Sequence, residues 1–199
     1  MAPKIKTAIL ISGRGSNMVA IAEAAQAEDY PVKIVGVISN IPNALGIERA
    51  KSLGLETNIV NHKSYKTRQK FETALHDALL SMKAELVCCA GFMRILTPWF
   101  VSRWEGRLIN IHPSLLPKYK GLNTHQRAID ARDDYAGCSV HWVTEELDGG
   151  DVIMQDRIPI APSDTAVTLA EKLLPIELSL YPKSLKKVAE TFQADQTSR

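Results

Sequence analysis

The sequence predicts an α/β fold: an open, mostly parallel sheet flanked by helices, with an antiparallel hairpin in the C-terminal part. Three features predict it. Short apolar runs alternate with helix-like segments through the first half, the rhythm of a parallel sheet whose crossovers cover both faces. A glycine-rich stretch, "SGRGSN", lies between the first apolar run and the first helix-like segment. Beyond residue 136 the pattern changes to two strand-like runs around "EELDGGD", as antiparallel strands joined by a Gly-Gly loop would read.

The elements follow in order. "IKTAILIS" is short and apolar, a first strand. "NMVAIAEAAQAE" is rich in alanine and glutamate, good helix formers. "PVKIVGVIS" is a second strand, and "NALGIERAKSLG" a second helix closed by Gly54. "ETNIV" is a short third strand, and "SYKTRQKFETALHDALLSMK" a longer amphipathic helix. "AELVCCAG" and "GRLINIH" are the fourth and fifth strands, and "GCSVHWVT" and "DVIMQDRIPI" the antiparallel pair. The segment from residue 165 to about 193 reads as helix, interrupted by Pro175 and Pro182. A strand, a glycine loop and a helix in that order make the start Rossmann-like. Without repeats or a linker, residues 1–199 read as a single domain.

Composition narrows the function. Hydrophobic residues are 45% and charged residues 23% of the chain, within the globular range. The net charge of +2 comes without a basic block, so nucleic acid is not expected as a partner. The three cysteines, Cys88, Cys89 and Cys138, are odd in number and lack metal-ligand spacing. They predict free thiols in a reducing compartment and no metal. The apolar run near the N-terminus is too short for a signal peptide or a membrane span. The expectation is a cytoplasmic protein with no membrane partner.

In the "SGRGSN" loop, Gly13 and Gly15 let the backbone approach a ligand closely. The helix N-terminus that follows offers free N–H groups and a positive dipole end, and Ser16 and Asn17 suit its cap. That is a phosphate cradle. Position 18 is Met18, where a dinucleotide fingerprint has its third glycine, and the second strand ends in Ser39 and Asn40 without an acid for a ribose. NAD is therefore rejected in favour of a mononucleotide or sugar phosphate. The P-loop lysine is missing as well, which argues against ATP hydrolysis.

Asn110 and His112 lie two apart on the fifth strand, so both face one side at its C-terminal end, where open α/β sheets bind ligands. Pro113 and Pro117 stiffen the loop that follows. A histidine with an ordinary pKa of about 6.5 donates a proton near neutral pH, and an amide stabilises an oxygen gaining negative charge. A strand-end histidine can equally be a satisfied core residue. A carboxylate partner would favour the charged histidine, and Glu145, Glu146, Asp148 and Asp151 are all candidates that spacing does not separate. His141 reads as a core residue or one supporting the site, His62 and His76 as surface or helix residues, and His125 with Thr124 as local structure at a helix start.

"ILISGRGSN", "AGFMRIL", "INIHPSLLPKYKGL" and "HWVTEELDGGDVI" occur in the order and spacing of the phosphoribosylglycinamide formyltransferase family, which the chain resembles from about Lys4 to about Lys187. The resemblance implies transfer of the formyl group of 10-formyltetrahydrofolate to the amine of 5-phosphoribosylglycinamide (GAR), in de novo purine biosynthesis. It implies Asn110, His112 and Asp148 as the catalytic trio, which chooses among the four acids. It implies Gly15, Ser16, Asn17 and Glu177 at the substrate phosphate. For the formyl folate it implies Arg68, Met93, Arg94, Ile95 and Leu96, together with Asn110 and the loop of Thr144, Glu145, Glu146, Leu147 and Asp148. Ser139 and His141 would support the trio from behind. The N-terminal half would thus bind the phosphate and nucleotide part, and the C-terminal half the folate and the catalytic loop. The expected partners are these two small molecules, with the chain a monomer or homodimer. Many relatives have Pro-Gly where this chain has Lys120-Gly121, and histidine where it has Asn123.

Three rivals share parts of the pattern. Methionyl-tRNA formyltransferase has much of the catalytic block but needs a second, basic domain, which this chain is not expected to carry. A formyltetrahydrofolate hydrolase would use the same trio on water, usually behind an N-terminal regulatory domain. A non-enzymatic binding module for folate or a phosphosugar would not need Asn110, His112 and Asp148 together.

Overall fold

The structure is a computed structural model that describes residues 3–197. Seven strands form one sheet: β1 (Ile5–Ile11), β2 (Val32–Ser39), β3 (Thr57–Ile59), β4 (Leu86–Cys89), β5 (Leu108–His112), β6 (Tyr135–Trp142) and β7 (Val152–Pro159). Their spatial order is β3-β2-β1-β4-β5-β6-β7. Pairing is parallel from β3 to β5 and antiparallel for β5–β6 and β6–β7. The helices are α1 (Ser16–Ala24), α2 (Leu45–Ser52), α3 (Arg68–Ser81), α4 (Pro98–Arg103), α5 (Thr124–Asp130) and α6 (Ala166–Thr197).

β1 shows why the sheet is covered on both sides. Its side chains alternate between faces. Ile5, Ile9 and Ile11 join Met18 and Ile21 of α1 and Tyr181, Leu185 and Val188 of α6 in one core. Ala8 and Leu10 join Phe71, Leu75 and Leu79 of α3 and Phe100 of α4 in the other. A strand buried on both faces has to be apolar throughout, and from Ala8 to Ile11 no residue is exposed.

The expected strands all form. The helices depart from expectation in three places. α6 runs unbroken through Pro175 and Pro182. Each proline costs about 3 kcal/mol in a helix interior. Seven apolar residues among the described side chains of α6, Leu169, Leu173, Leu180, Tyr181, Leu185, Val188 and Ala189, are buried. At roughly 1.5–3 kcal/mol for each large side chain, that burial outweighs the two prolines. α1 stops at Ala24 rather than near Glu28, because the chain must turn back to bury Tyr30 before β2. α4, which opens at Thr97-Pro98, was not expected, whereas α5 begins at Thr124, where a helix start was expected.

Between β1 and β4 the sheet reverses its winding, since the chain proceeds from β1 to β2 on one side and from β4 to β5 on the other. Loops leaving the C-terminal ends of such strands diverge and open a crevice, where ligands bind in open α/β sheets. The loops after β1, β4 and β5 carry residues 12–15, 90–97 and 113–123. No helix among the described residues is long and apolar enough to cross a membrane.

Candidate active site

Asn110 and His112 occupy the last turn of the pleat in β5. The antiparallel neighbour β6 places His141 opposite Asn110 and Ser139 opposite His112. The Asn110 amide nitrogen lies 3.2 Å from His141 Nε2, and His141 Nδ1 lies 2.8 Å from the Trp142 carbonyl. A carbonyl only accepts, so Nδ1 carries the proton and Nε2 accepts from the Asn110 amide. His141 is therefore neutral. Burial drives its pKa below 6.5, against the opposing pull of the Trp142 carbonyl and of Asp148. Asp148 Oδ1 sits 3.7 Å from His141 Nε2, but that is not an ion pair, because Nε2 is already an acceptor. Asn110 keeps a second amide proton for another oxygen.

His112 faces oxygen with both ring nitrogens. Nδ1 is 3.4 Å from Asp148 Oδ2, and Nε2–H donates to the Tyr119 carbonyl at 3.0 Å. A ring carrying both protons satisfies both neighbours. The Gly121 N–H also donates to Asp148 Oδ2, at 2.9 Å, so the loop after β5 closes on the pair from above. Asp148 adopts a left-handed backbone, φ 48°, a conformation that Asp tolerates better than most residues. Gly150 then lets the loop pass the Trp142 carbonyl, where an added Cβ would lie 1.9 Å from the oxygen. Of the four acids in this loop, Asp148 alone approaches His112 among the described residues; Glu146 pairs with Lys120 Nζ at 2.7 Å, and Glu145 and Asp151 are exposed.

In the glycine loop the cap differs from expectation. Gly15, φ 71°, is the N-cap of α1, and among the described residues no side chain caps the helix. Ser16 and Asn17 are the first helical residues instead. A Cβ on residue 15 would lie 2.8 Å from Gly46 Cα, so α2 is packed against the loop and excludes any larger residue. The Asn17 amide donates to Glu177 Oε2 at 3.0 Å, and Asn17 Oδ1 is buried without a partner among the described residues. Burial raises the Glu177 pKa, and the Asn17 bond opposes it. Residues 17 and 177 thus meet across the α1–α6 contact, beside the open N-terminus of α1.

The proposed folate residues fall into two loops and one helix end. Thr144, Glu145, Glu146 and Leu147 precede Asp148 in one exposed loop, with the Thr144 hydroxyl donating to the Glu146 carbonyl at 3.3 Å. Met93 and Ile95 are exposed at 75% and 59%, an apolar surface open to a flat aromatic ligand. The Arg94 guanidinium lies 5.6 Å over the Phe71 ring, and Leu96 packs on the core behind it. Arg68 is the exposed first residue of α3 and joins no other site residue. Ser139 Oγ accepts from the Leu116 N–H and donates to the Ser114 carbonyl, bracing the loop after His112.

Sequence reasoning passed over three contributors. Ser12 donates to Asn40 Oδ1 at 2.6 Å and accepts from the Met93 N–H at 2.8 Å, tying the glycine loop to the loop after β4. Tyr119 acts through its carbonyl, which no side-chain pattern reveals. His62, read as a surface residue, donates from Nδ1 to the Asn40 carbonyl at 2.9 Å and so holds the far end of this link. The thiols are free and buried; burial pushes Cys89 up to about 12. Among the described residues no group of three His, Cys, Asp or Glu side chains could hold a metal ion.

The chain matches the formyl transferase family over residues 5–185. It is 42% identical over 185 residues to the phosphoribosylglycinamide formyltransferase of Haemophilus influenzae, covering 93% of this chain and 87% of that protein. It is 40% identical over 186 residues to the trifunctional purine biosynthetic protein adenosine-3 of Homo sapiens, 94% of this chain but 18% of that protein. The chain spans as little as 14% of the length of such trifunctional relatives. Among solved structures, the phosphoribosylglycinamide formyltransferase of Brucella melitensis superposes with a TM-score of 0.90 at 44% identity, covering 94% of this chain and 96% of that one.

Proposed function

The chain belongs to the formyl transferase family, and on that premise we propose that it transfers the formyl group of 10-formyltetrahydrofolate to the amine of GAR, giving formyl-GAR and tetrahydrofolate. The observation that carries the reading is the cluster of Asn110, His112 and Asp148 at the C-terminal end of β5, on the same edge of the sheet as the glycine loop after β1. The glycine loop, with Gly15, Ser16, Asn17 and Glu177, takes the GAR phosphate. The exposed apolar side chains of Met93, Ile95 and Leu147 and the cation of Arg94 suit the flat ring and acidic tail of the folate. Arg68 extends that site. The domain works as one unit, its N-terminal half holding the phosphate and its C-terminal half the folate, in the cytoplasm, as a monomer or homodimer without nucleic-acid or membrane partners.

The chemistry is direct transfer. The GAR amine attacks the formyl carbon, and the carbonyl electrons move to its oxygen. The free Asn110 amide proton and a proton of His112 stabilise that oxyanion; the formyl oxygen competes with the Tyr119 carbonyl for His112 Nε2–H. Asp148 holds His112 charged and, through water, receives the proton lost by the amine. Collapse of the intermediate expels N10 of the folate, which takes up that proton from Asp148 through water and restores the carboxylate. The test is formyl transfer from 10-formyltetrahydrofolate with GAR, water or charged methionyl-tRNA as acceptor. Formyl-GAR formation with the other two acceptors near background is expected. No transfer to GAR, or equal transfer to water or methionyl-tRNA, refutes it.

A further inference from the structure

Glu72, on α3, is completely buried, yet it has no cation partner among the described residues. Both its oxygens go to one residue. The Thr97 N–H donates to Oε1 at 2.8 Å, and the Thr97 hydroxyl donates to Oε2. A buried carboxylate without a counter-ion is costly and persists where hydrogen bonds replace its water. Thr97 stands directly before Pro98 at the start of α4, where a threonine hydroxyl ordinarily caps its own helix. Here it makes no capping bond; the hydroxyl is given to Glu72.

Thr97 closes the loop that follows β4. The other end of that loop is held by Ser12, whose hydroxyl accepts from the Met93 N–H and whose own N–H donates to the Gly91 carbonyl at 3.1 Å. Between these anchors lie Arg94, Ile95 and Leu96. Arg94 rests on Phe71, the neighbour of Glu72 in α3. Arg68 begins the same helix four residues before Glu72, so the two lie on one face. α3 therefore carries Arg68 and, through Glu72, fixes the loop that holds the other apolar and cationic contacts.

We propose that Glu72 is a positioning residue of the formyl-folate site, setting the loop of residues 93–96 against Arg68 through its two bonds to Thr97. This rests on the reading of those residues as the folate site. The test uses the full chain, with steady-state kinetics in both substrates, equilibrium binding of tetrahydrofolate, and the melting temperature. Glu72→Ala is expected to raise KM for 10-formyltetrahydrofolate by roughly 10-fold, the scale of two lost hydrogen bonds, with KM for GAR changed by less than about twofold. Glu72→Gln should fall between, since its amide oxygen still accepts from the Thr97 N–H but its NH₂ cannot accept from the hydroxyl. Thr97→Ser keeps both donors and should stay near wild type. Should Glu72→Ala not fold, Glu72→Gln and Thr97→Val carry the test, each with a selective rise in the folate KM. A lowered melting temperature with both KM values unchanged in these variants overturns the proposal. Arg94→Ala is the control. If it raises the folate KM while Glu72→Gln and Thr97→Val do not, the positioning role alone falls. If it too leaves folate affinity unchanged, the folate reading of the loop falls, and the proposal with it.

Discussion

Replacing Asp148 by asparagine removes a charge while leaving the backbone unstrained. Asp148 sits at φ 48°, which asparagine adopts readily, whereas most other residues would add about 1–2 kcal/mol of strain. Asparagine also keeps an oxygen for the Gly121 N–H. What it loses is the negative charge 3.4 Å from His112 Nδ1, in a pair whose side chains are 7% and 9% exposed. Two unit charges at that distance attract by on the order of 5 kcal/mol at an effective dielectric of about 20. Desolvation offsets part of this. If about half survives, the charged, proton-donating form of His112 loses roughly 2–3 kcal/mol, which corresponds to a fall of about 10²-fold in kcat. Asp151→Asn is the comparison. Asp151 is exposed, and its carbonyl, which the substitution keeps, accepts from the Trp142 N–H. Its turnover should stay within about twofold of wild type, as for most surface changes. The assay is kcat and KM for formyl transfer, with circular dichroism to show both variants folded. Near-wild-type turnover in Asp148→Asn, or an equal loss in Asp151→Asn, refutes the pairing of Asp148 with His112.

Asn17→Ala should raise KM for GAR by roughly 10-fold while folate binding stays unchanged, because its amide lies beside the glycine loop, the proposed place of the phosphate, and remote binding shows mainly in KM; calorimetry with each ligand separates the two, and a selective loss of folate binding would reverse the assignment. Burial depresses the His141 pKa below 6.5, so the unfolded chain takes up that proton first. The contribution is fully present above about pH 6.5 and is lost as pH falls toward the folded pKa, at up to about 1.4 kcal/mol per pH unit. Denaturant unfolding from pH 8 to 5 should therefore fall less steeply in His141→Gln than in wild type, and parallel curves would contradict it. The Tyr181 hydroxyl donates to the Cys89 and Ile109 carbonyls at 3.0 and 3.2 Å, both buried. Tyr181→Phe should cost about 1–3 kcal/mol of stability, read from the denaturation midpoint; an unchanged midpoint would show those bonds contribute nothing.

The sequence by itself determined the parts that depend on neighbours a few residues apart. Apolar runs such as residues 5–11 and 108–112 could only be buried strands, the alternation with helices set the parallel sheet, and the change of pattern after residue 136 set the hairpin. Asn110 and His112 were legible as a pair because strand periodicity puts them on one face. Choosing among Glu145, Glu146, Asp148 and Asp151 needed more than spacing. Only the folded chain brings Asp148 to His112, because the left-handed turn at Asp148 and the path of the loop past Trp142 depend on how β6 and β7 pair.

Tertiary structure also overruled local rules. Pro175 and Pro182 would end an isolated helix, but burial of α6 along the sheet outweighs them. Ser16 and Asn17 are good caps in isolation, but α2 packs so closely on the glycine loop that Gly15 takes the cap, and Asn17 turns to Glu177. Thr97 gives its hydroxyl to Glu72 rather than to its own helix. The Tyr119 carbonyl reaches His112 as a main-chain group that every residue possesses. In each case the deciding partner lies elsewhere in the chain or is backbone. Periodicity and propensity describe what a segment does alone, and these contacts exist only once the crossovers have brought distant segments together.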